Sequence, residues 1–394
     1  MFKKSIAALA VLGAFAAGSA VAADVTIYGR ADLGLRFTSV DSDVTNVDDV
    51  DTFEMATGNF TGNRVGIKGS EDLGNGMTVA FVLENGFDAD TGNLGESDQI
   101  FDREATVQLK GAFGTIGLGR SSILALDAGS FGIGGAFTAM GTGWGDVGNQ
   151  HLLWGAGFSS RASNMLTYVT PEFAGFKVYA QYSFGDGDGD ENKSNTERYY
   201  GIGATYQNGA LDLAMVVDSV NAATVNYDAD GKDLGPKTNP EDTVRVIVGG
   251  SYDFGVVKPF LAASYFKDGK IGDLLGAYEN AGADVLLEQG YYDGYAVMLG
   301  SHVPLMGGTL KASVGYMDAE LQSWEANADI TDVYENDLKR WLIGVGYEYP
   351  LSKRTIVYAD AGYFQDSSDS TLAGKSSSAD PKAYQCAIGL VHMF

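Results

Sequence analysis

VTIYGRADLGLRF, running from Val25 to Phe37, is the stretch whose reading decides the fold. Its odd positions Val25, Ile27, Ala31, Leu33, Leu35 and Phe37 are mainly apolar, and its even positions Thr26, Tyr28, Arg30, Asp32 and Arg36 are mainly polar. A period of two sends successive side chains to opposite faces of a strand, so one face is greasy and the other wet. Strands of soluble sandwiches average about five or six residues, whereas crossing a bilayer at a tilt near 45° takes about 9–11. The alternation over residues 25–37 has the membrane length. It returns at Phe176, Val178, Ala180, Tyr182 and Phe184 against Lys177, Gln181 and Ser183, and at Val244, Val246, Val248, Tyr252 and Phe254 against Arg245, Ser251 and Asp253.

Composition narrows the class. The chain has 394 residues with 54 Gly and only 7 Pro, which fits neither a disordered nor a collagen-like polymer. Acids outnumber bases 51 to 26, so long-range attraction to nucleic acid is disfavoured. A single cysteine, Cys386, forbids an internal disulfide, and no Cys/His cluster has the spacing of a structural zinc site. Cys386 sits on the apolar parity of its strand and reads as a small hydrophobe.

Residues 1–22 read as a secretory signal peptide: basic Lys3 and Lys4, an apolar run from Ile6 to Ala17, and a small-residue end at Ser19-Ala20-Val21-Ala22. The mature chain, 23–394, holds no apolar run of helical spanning length. Its alternating segments and turns predict sixteen strands, the even number that closes a bacterial barrel. Among them are 24–37, 60–70, 100–111, 115–120 and 383–394. Tight connections such as Glu71 to Gly76, Ala112 to Gly114 and Leu351 to Lys353 alternate with long ones, the rhythm of short periplasmic turns and long outer loops. The fold class is therefore all-β, an antiparallel transmembrane β-barrel.

Charge concentrates in the long connections. Residues 38–59, 186–197, 218–242 and 318–337 together hold 24 acids and 3 bases. Hydrated loops kept soluble by charge is one reading; the other is weak Ca2+ or Mg2+ binding that bridges to lipopolysaccharide. Asp186, Asp188, Asp190 and Glu191 have the alternate-oxygen spacing of a divalent-ion loop but lack the bidentate Glu of a helix-loop-helix site.

Several motifs, in order, resemble the general outer-membrane porins of Gram-negative bacteria, of the betaproteobacterial kind. They are VTIYGRADLGL at Val25 to Leu35, NRVGIKGSEDLGNGM at Asn63 to Met77, AFVLENGF at Ala80 to Phe87 and FGTIGLGR at Phe113 to Arg120. The run from Arg161 to Gly175, YPLSKRT at Tyr349 to Thr355, and the GLVHMF ending in Phe394 complete the set. The resemblance implies a homotrimer of 16-stranded channels in the outer membrane, each with its third outer loop folded into the lumen, and a C-terminal strand that engages the barrel-assembly machinery.

The strands locate a constriction. Arg30 lies six residues up from Asp24 and Arg64 seven up from Glu71. At about 3.3 Å per residue and a 45° tilt, that is a climb of roughly 14–16 Å, mid-bilayer on the wet face. Glu84 reaches the same height and suits a pair with Arg64; Asp32 and Arg36 lie higher, Lys68 lower. The Gly-rich insertion Ser121 to Ser160, with Ile123, Leu124, Phe131, Phe137 and Trp144, suits a segment packed inside a barrel, and before Arg161 it bears only Asp127 and Asp146 as charges. The expectation is a basic wall of Arg30, Arg36, Arg64 and Arg161 facing a weakly acidic loop, an anion-favouring eyelet. The resemblance adds Arg120, although Arg120 shares parity with Ile116 and Leu118, and Arg103 with Val107 and Leu109; a bulge or a departure from the wall has to re-aim both.

These features predict a passive diffusion channel for small hydrophilic solutes and inorganic ions. A substrate-specific channel and a closed structural or adhesin-like barrel are the alternatives. An enzyme is disfavoured, because His151, His302 and His392 carry no motif of a catalytic base.

Overall fold

The computed structural model describes residues 24–41, 43, 49–95, 99–144, 160–185, 197–221, 225–227, 233–236, 242–271, 290–324, 334–372 and 375–394. They form twenty β-strands: β1 (Thr26–Asp41), β2 (Val50–Thr57), β3 (Arg64–Gly74), β4 (Met77–Gly86), β5 (Glu104–Gly111), β6 (Gly114–Ser122), β7 (Arg161–Val169), β8 (Phe176–Ser183), β9 (Arg198–Asn208), β10 (Leu211–Asn221), β11 (Val225–Tyr227), β12 (Asp233–Pro236), β13 (Thr243–Tyr252), β14 (Lys258–Gly269), β15 (Gly290–Leu305), β16 (Gly308–Trp324), β17 (Tyr334–Pro350), β18 (Thr355–Leu372), β19 (Lys375–Ala379) and β20 (Lys382–Met393). β11 and β12 are a ribbon of their own. β2 and β3 lie end to end along β1, and β19 and β20 end to end along β18. The rest pair antiparallel in sequence order, and β20 returns to β1, closing sixteen staves into a barrel.

The closing seam runs from Arg30 opposite Met393 to Asp41 opposite Lys382. Phe394 completes it, accepting the Gly29 N–H at 3.1 Å and donating its own N–H to the Gly29 carbonyl at 3.0 Å. The connections β3–β4, β5–β6, β7–β8, β9–β10, β13–β14, β15–β16 and β17–β18 fall on this same rim. The β3–β4 turn is built on Asn75 and Gly76, both with left-handed φ (56° and 75°), the backbone that a two-residue hairpin requires.

The period of two decides what each stave shows the membrane. Ile27, Leu33, Leu35 and Phe37 of β1 are exposed on the outer surface, while Asp32 is wholly buried. Ile202, Leu261, Leu299, Ile343 and Ile388 continue the outer apolar belt around the barrel. So large a continuous apolar surface is stable only against lipid. Aromatic pairs flank it: Phe176 with Tyr206 and Tyr252 with Phe254 near the short-turn rim, Tyr182 with Tyr200 and Tyr363 with Tyr384 toward the other end.

The strand expected at 60–70 starts only at Arg64, because residues 58–63 leave the ladder. The sequence there is Gly-Asn-Phe-Thr-Gly-Asn, with Gly58 at φ 68°, and such residues favour turns over pairing.

Two buried charge pairs cross neighbouring staves on the inner wall. Arg245 faces Asp218 across β13 and β10 with two bonds of 2.9 and 2.6 Å, and Tyr199 adds a third to the same carboxylate. Arg340 grips Asp366 across β17 and β18 with two bonds of 2.8 Å. Arg245→Leu should lower unfolding stability by about 3–5 kcal/mol by stranding a buried carboxylate, and Arg245→Leu with Asp218→Leu should recover most of the loss. Urea unfolding in lipid vesicles, followed by tryptophan emission, measures both.

Candidate pore constriction

One side of the lumen carries a fan of guanidinium groups. Arg30 on β1 and Arg64 on β3 stand directly opposite each other in the ladder. Like charges so placed repel, and the surroundings have to hold them apart. Thr61 Oγ1 accepts from Arg30 Nη1 at 3.0 Å and from Arg64 Nη2 at 3.4 Å. Glu84 on β4 sits at the centre: its Oε1 lies 2.8 Å from Arg103 Nε and 3.6 Å from Arg64 Nη1, and its Oε2 accepts the Tyr28 hydroxyl at 3.0 Å. Arg161, at the foot of the long insertion, donates Nε to the Arg103 carbonyl at 2.9 Å. Arg120 donates to the Asp102 carbonyl at 2.6 Å and to Ser163 Oγ at 2.9 Å, within electrostatic reach of Arg161. Lys68 lies below, its ammonium 4.9 Å from the centre of the Tyr28 ring.

The described part of the insertion, 121–144, makes its contacts with the inner face of the wall. It leaves β6 tied down by Glu104, which accepts Ser130 N–H at 3.0 Å and Ser130 Oγ–H at 2.5 Å. Phe131 lies over Gly117 of β6 and Trp144 over Gly346 of β17, and at both glycines a side chain would collide with the ring. Between them the Ala139 carbonyl lies 2.6 Å from His302 Nε2 of β15. The segment thus runs along the inside from β6 to β17, with Leu124, Phe137, Met140 and Trp144 buried beneath it.

On that side the wall is nearly balanced in charge. Lys311 of β16 pairs with Glu348 at 3.1 Å and rests 5.4 Å from the Trp144 ring. Asp127 sits in the loop near Lys311; its side chain meets lumen water, yet the surrounding protein raises its carboxyl pKa by desolvation, with Lys311 acting against the rise.

A family model described as Gram-negative porin matches residues 7–369. The chain belongs to that family. An outer membrane porin protein of Bordetella pertussis is 31% identical, over 94% of this chain and 98% of its own. Outer membrane porin protein 32 of Delftia acidovorans is 28% identical over 94% and 92%. Among solved structures, an anion-selective porin from Comamonas acidovorans overlays with a TM-score of 0.62 at 24% identity, covering 95% of this chain and all of the other. The trimer form of Vibrio cholerae OmpT overlays at 0.57 with 16% identity, covering 95% and 100%. At those identities the two structures speak for the fold alone. The porin is an outer-membrane diffusion channel.

Arg30, Arg64, Glu84 and Arg161 of this porin stand together, and Lys68 lies at the edge of the group. Arg36 does not join them: it sits six residues beyond Arg30 and pairs with Glu54 of β2 at 2.7 Å. Arg103 enters because β5 begins only at Glu104, so the parity read from a strand at 100–111 does not apply to it. Arg120 is re-aimed by a slip in the β6–β7 ladder between Gly119 and Ser121, where Gly119 takes φ 124°. Asp146, Asp186, Asp188, Asp190 and Glu191, like the signal segment 1–22, lie outside the described residues. Sequence reading missed Glu104, although its parity with Thr106 and Gln108 marks it as inward.

Glu104→Ala removes the two bonds to Ser130, and a hydrogen bond to a charged group contributes about 1.5–3 kcal/mol. The loop should loosen at its root. Single-channel recordings should then show higher conductance and more flicker than wild type, with Glu104→Gln, which keeps an acceptor oxygen, in between.

Proposed function

We propose that this porin, after loss of residues 1–22, passes small hydrophilic solutes and inorganic ions with a mild preference for anions, sorted at an eyelet between the arginine fan and the loop 121–160. The carrying observation is the charge balance of the fan. Five guanidiniums, Arg30, Arg64, Arg103, Arg120 and Arg161, converge there. Among the described residues Glu84 pairs with Arg64 and Arg103; Asp32 and Glu104 are buried and hold backbone, and Asp102 accepts the Gly86 N–H at 2.7 Å within electrostatic reach of Arg161. A small anion crossing the narrows is drawn by the converging guanidiniums and a cation is repelled, and fixed dipoles and charges at such closeness set selectivity. The description of the Comamonas relative as anion-selective agrees with this sign.

Diffusion of this kind makes and breaks no bond and uses no cofactor. A substrate-specific channel is less well supported: Phe60, Trp144 and Tyr358 are inward aromatics, but they stack on one another with centroids 4.7 to 6.0 Å apart and do not line a ladder. The trimer form of the Vibrio neighbour supports a homotrimer. The apolar outer belt would contact outer-membrane lipid, the acidic loops lipopolysaccharide, and the Phe394 strand the assembly machinery.

Planar-bilayer recording under a KCl gradient tests the reading. Wild type should give an anion-side reversal potential, and Arg30→Gln with Arg64→Gln should move it toward the cation side. An unmoved potential would remove the fan from the selectivity mechanism.

A further inference from the structure

Residues 58–63 interrupt the stave made by β2 and β3, and they turn inward. We propose that this link is a second element of the constriction, and that Thr61 is a positioning residue that aims Arg30 and Arg64 into the pore. The inference rests on the reading of the arginine fan as the selectivity element.

The link is built as a rigid part. Asp32, fully buried on β1, accepts the Thr61 N–H on Oδ2 at 2.8 Å and the Tyr358 hydroxyl on Oδ1 at 2.9 Å. Its own N–H goes to Asn63 Oδ1 at 2.6 Å, and its carbonyl accepts Gly58 N–H at 3.0 Å. From the other side of the seam, Asp360 of β18 accepts Asn59 Nδ2 at 2.9 Å. Two buried aspartates on two staves therefore fix a six-residue segment that has left the sheet. Burying Asp32 is costly unless its oxygens are bonded, and both are, one by the link and one by Tyr358.

The link has two working faces. One meets the loop: Trp144 donates its backbone N–H to the Phe60 carbonyl at 3.2 Å, the two rings are 4.7 Å apart, and Gly143 passes so close to that carbonyl that no side chain fits. The other face carries the fan. Thr61 Oγ1 accepts from both Arg30 and Arg64, the Gly62 carbonyl accepts Arg64 Nε at 3.0 Å, and a side chain at Gly62 would press on Arg103 Nη1. Three of the five arginines thus lie on residues 61–62, and Trp144 of the loop rests on residue 60. The link joins the two walls of the eyelet, and its hydroxyl sets where the paired guanidiniums point. One net hydrogen bond is worth roughly a fivefold change in the population of the held rotamer.

Thr61→Val tests this, because valine keeps the shape and the N–H to Asp32 and loses only the hydroxyl; Thr61→Ala is the second variant should valine fail to assemble. Thr61→Ser and Arg64→Gln are run beside them in bilayers under a KCl gradient, with heat-resistance of the folded barrel on detergent gels as the control. The expected result is a reversal potential moved toward the cation side by part of the Arg64→Gln shift for Thr61→Val and Thr61→Ala, wild-type behaviour for Thr61→Ser, and unchanged heat-resistance. If Thr61→Val matches wild type while Arg64→Gln shifts, the inference is overturned and the reading of the fan stands. Equal shifts in Thr61→Ser and Thr61→Val also overturn it, since the hydroxyl would then be irrelevant. No shift in Arg64→Gln overturns the reading of the fan, and the role of Thr61 with it.

Discussion

Hydrocarbon offers no hydrogen-bond partner, so a sheet that crosses it has to close. In this porin the closure is the β1–β20 seam, finished by the two backbone bonds between Gly29 and Phe394. Once sixteen staves close, the circumference is set, and with it a lumen too wide to be filled by wall side chains alone. Everything that makes the channel selective is therefore added to the inside of a frame whose size it does not determine.

Two inserted pieces narrow that frame, and they solve the same problem differently. The loop from 121 buries an apolar underside on the wall of β6 to β17, where glycines leave room for Phe131 and Trp144. The link at 58–63 has little apolar surface beyond Phe60 and is held by Asp32 and Asp360. Packing secures the long piece and hydrogen bonds to buried carboxylates secure the short one. They touch at Phe60 and Trp144, so a movement of either is felt by the other. Elsewhere on the inner wall, charges such as Arg245 with Asp218 are neutralised in pairs. At the fan, Arg64 and Arg103 share the one carboxylate of Glu84, and on the proposed reading that imbalance meets the solute.

Much of this was legible in the residues. The alternation of Val25 to Phe37 named the inward face, and counting along the strands put Arg30, Arg64 and Glu84 at one height, where they are found together. Arg161, expected on the basic wall, stands at the end of the insertion beside Arg103. Arg36 misled, because parity says which face a side chain takes and not whether a neighbour such as Glu54 has already claimed it. Arg103 and Arg120 were ambiguous for a definite reason: one precedes its strand and the other follows a slipped register, and period-two reasoning holds only inside an unbroken ladder. His302 carried no motif, and its use, against the Ala139 carbonyl, appears only when the loop is laid on β15.

The residues by themselves determined the class of solvent on each face, the strand length, the turns and the closure, because each of these follows from short-range patterning repeated along the chain. The tertiary structure alone decided that Arg103 and Arg120 join the group while Arg36 does not, that Glu104 roots the loop, and that residues 58–63 turn inward to carry Thr61. Those contacts join positions tens to hundreds of residues apart, as Asn59 is joined to Asp360, and no local period encodes a meeting that exists only once the barrel has brought its first and last staves together.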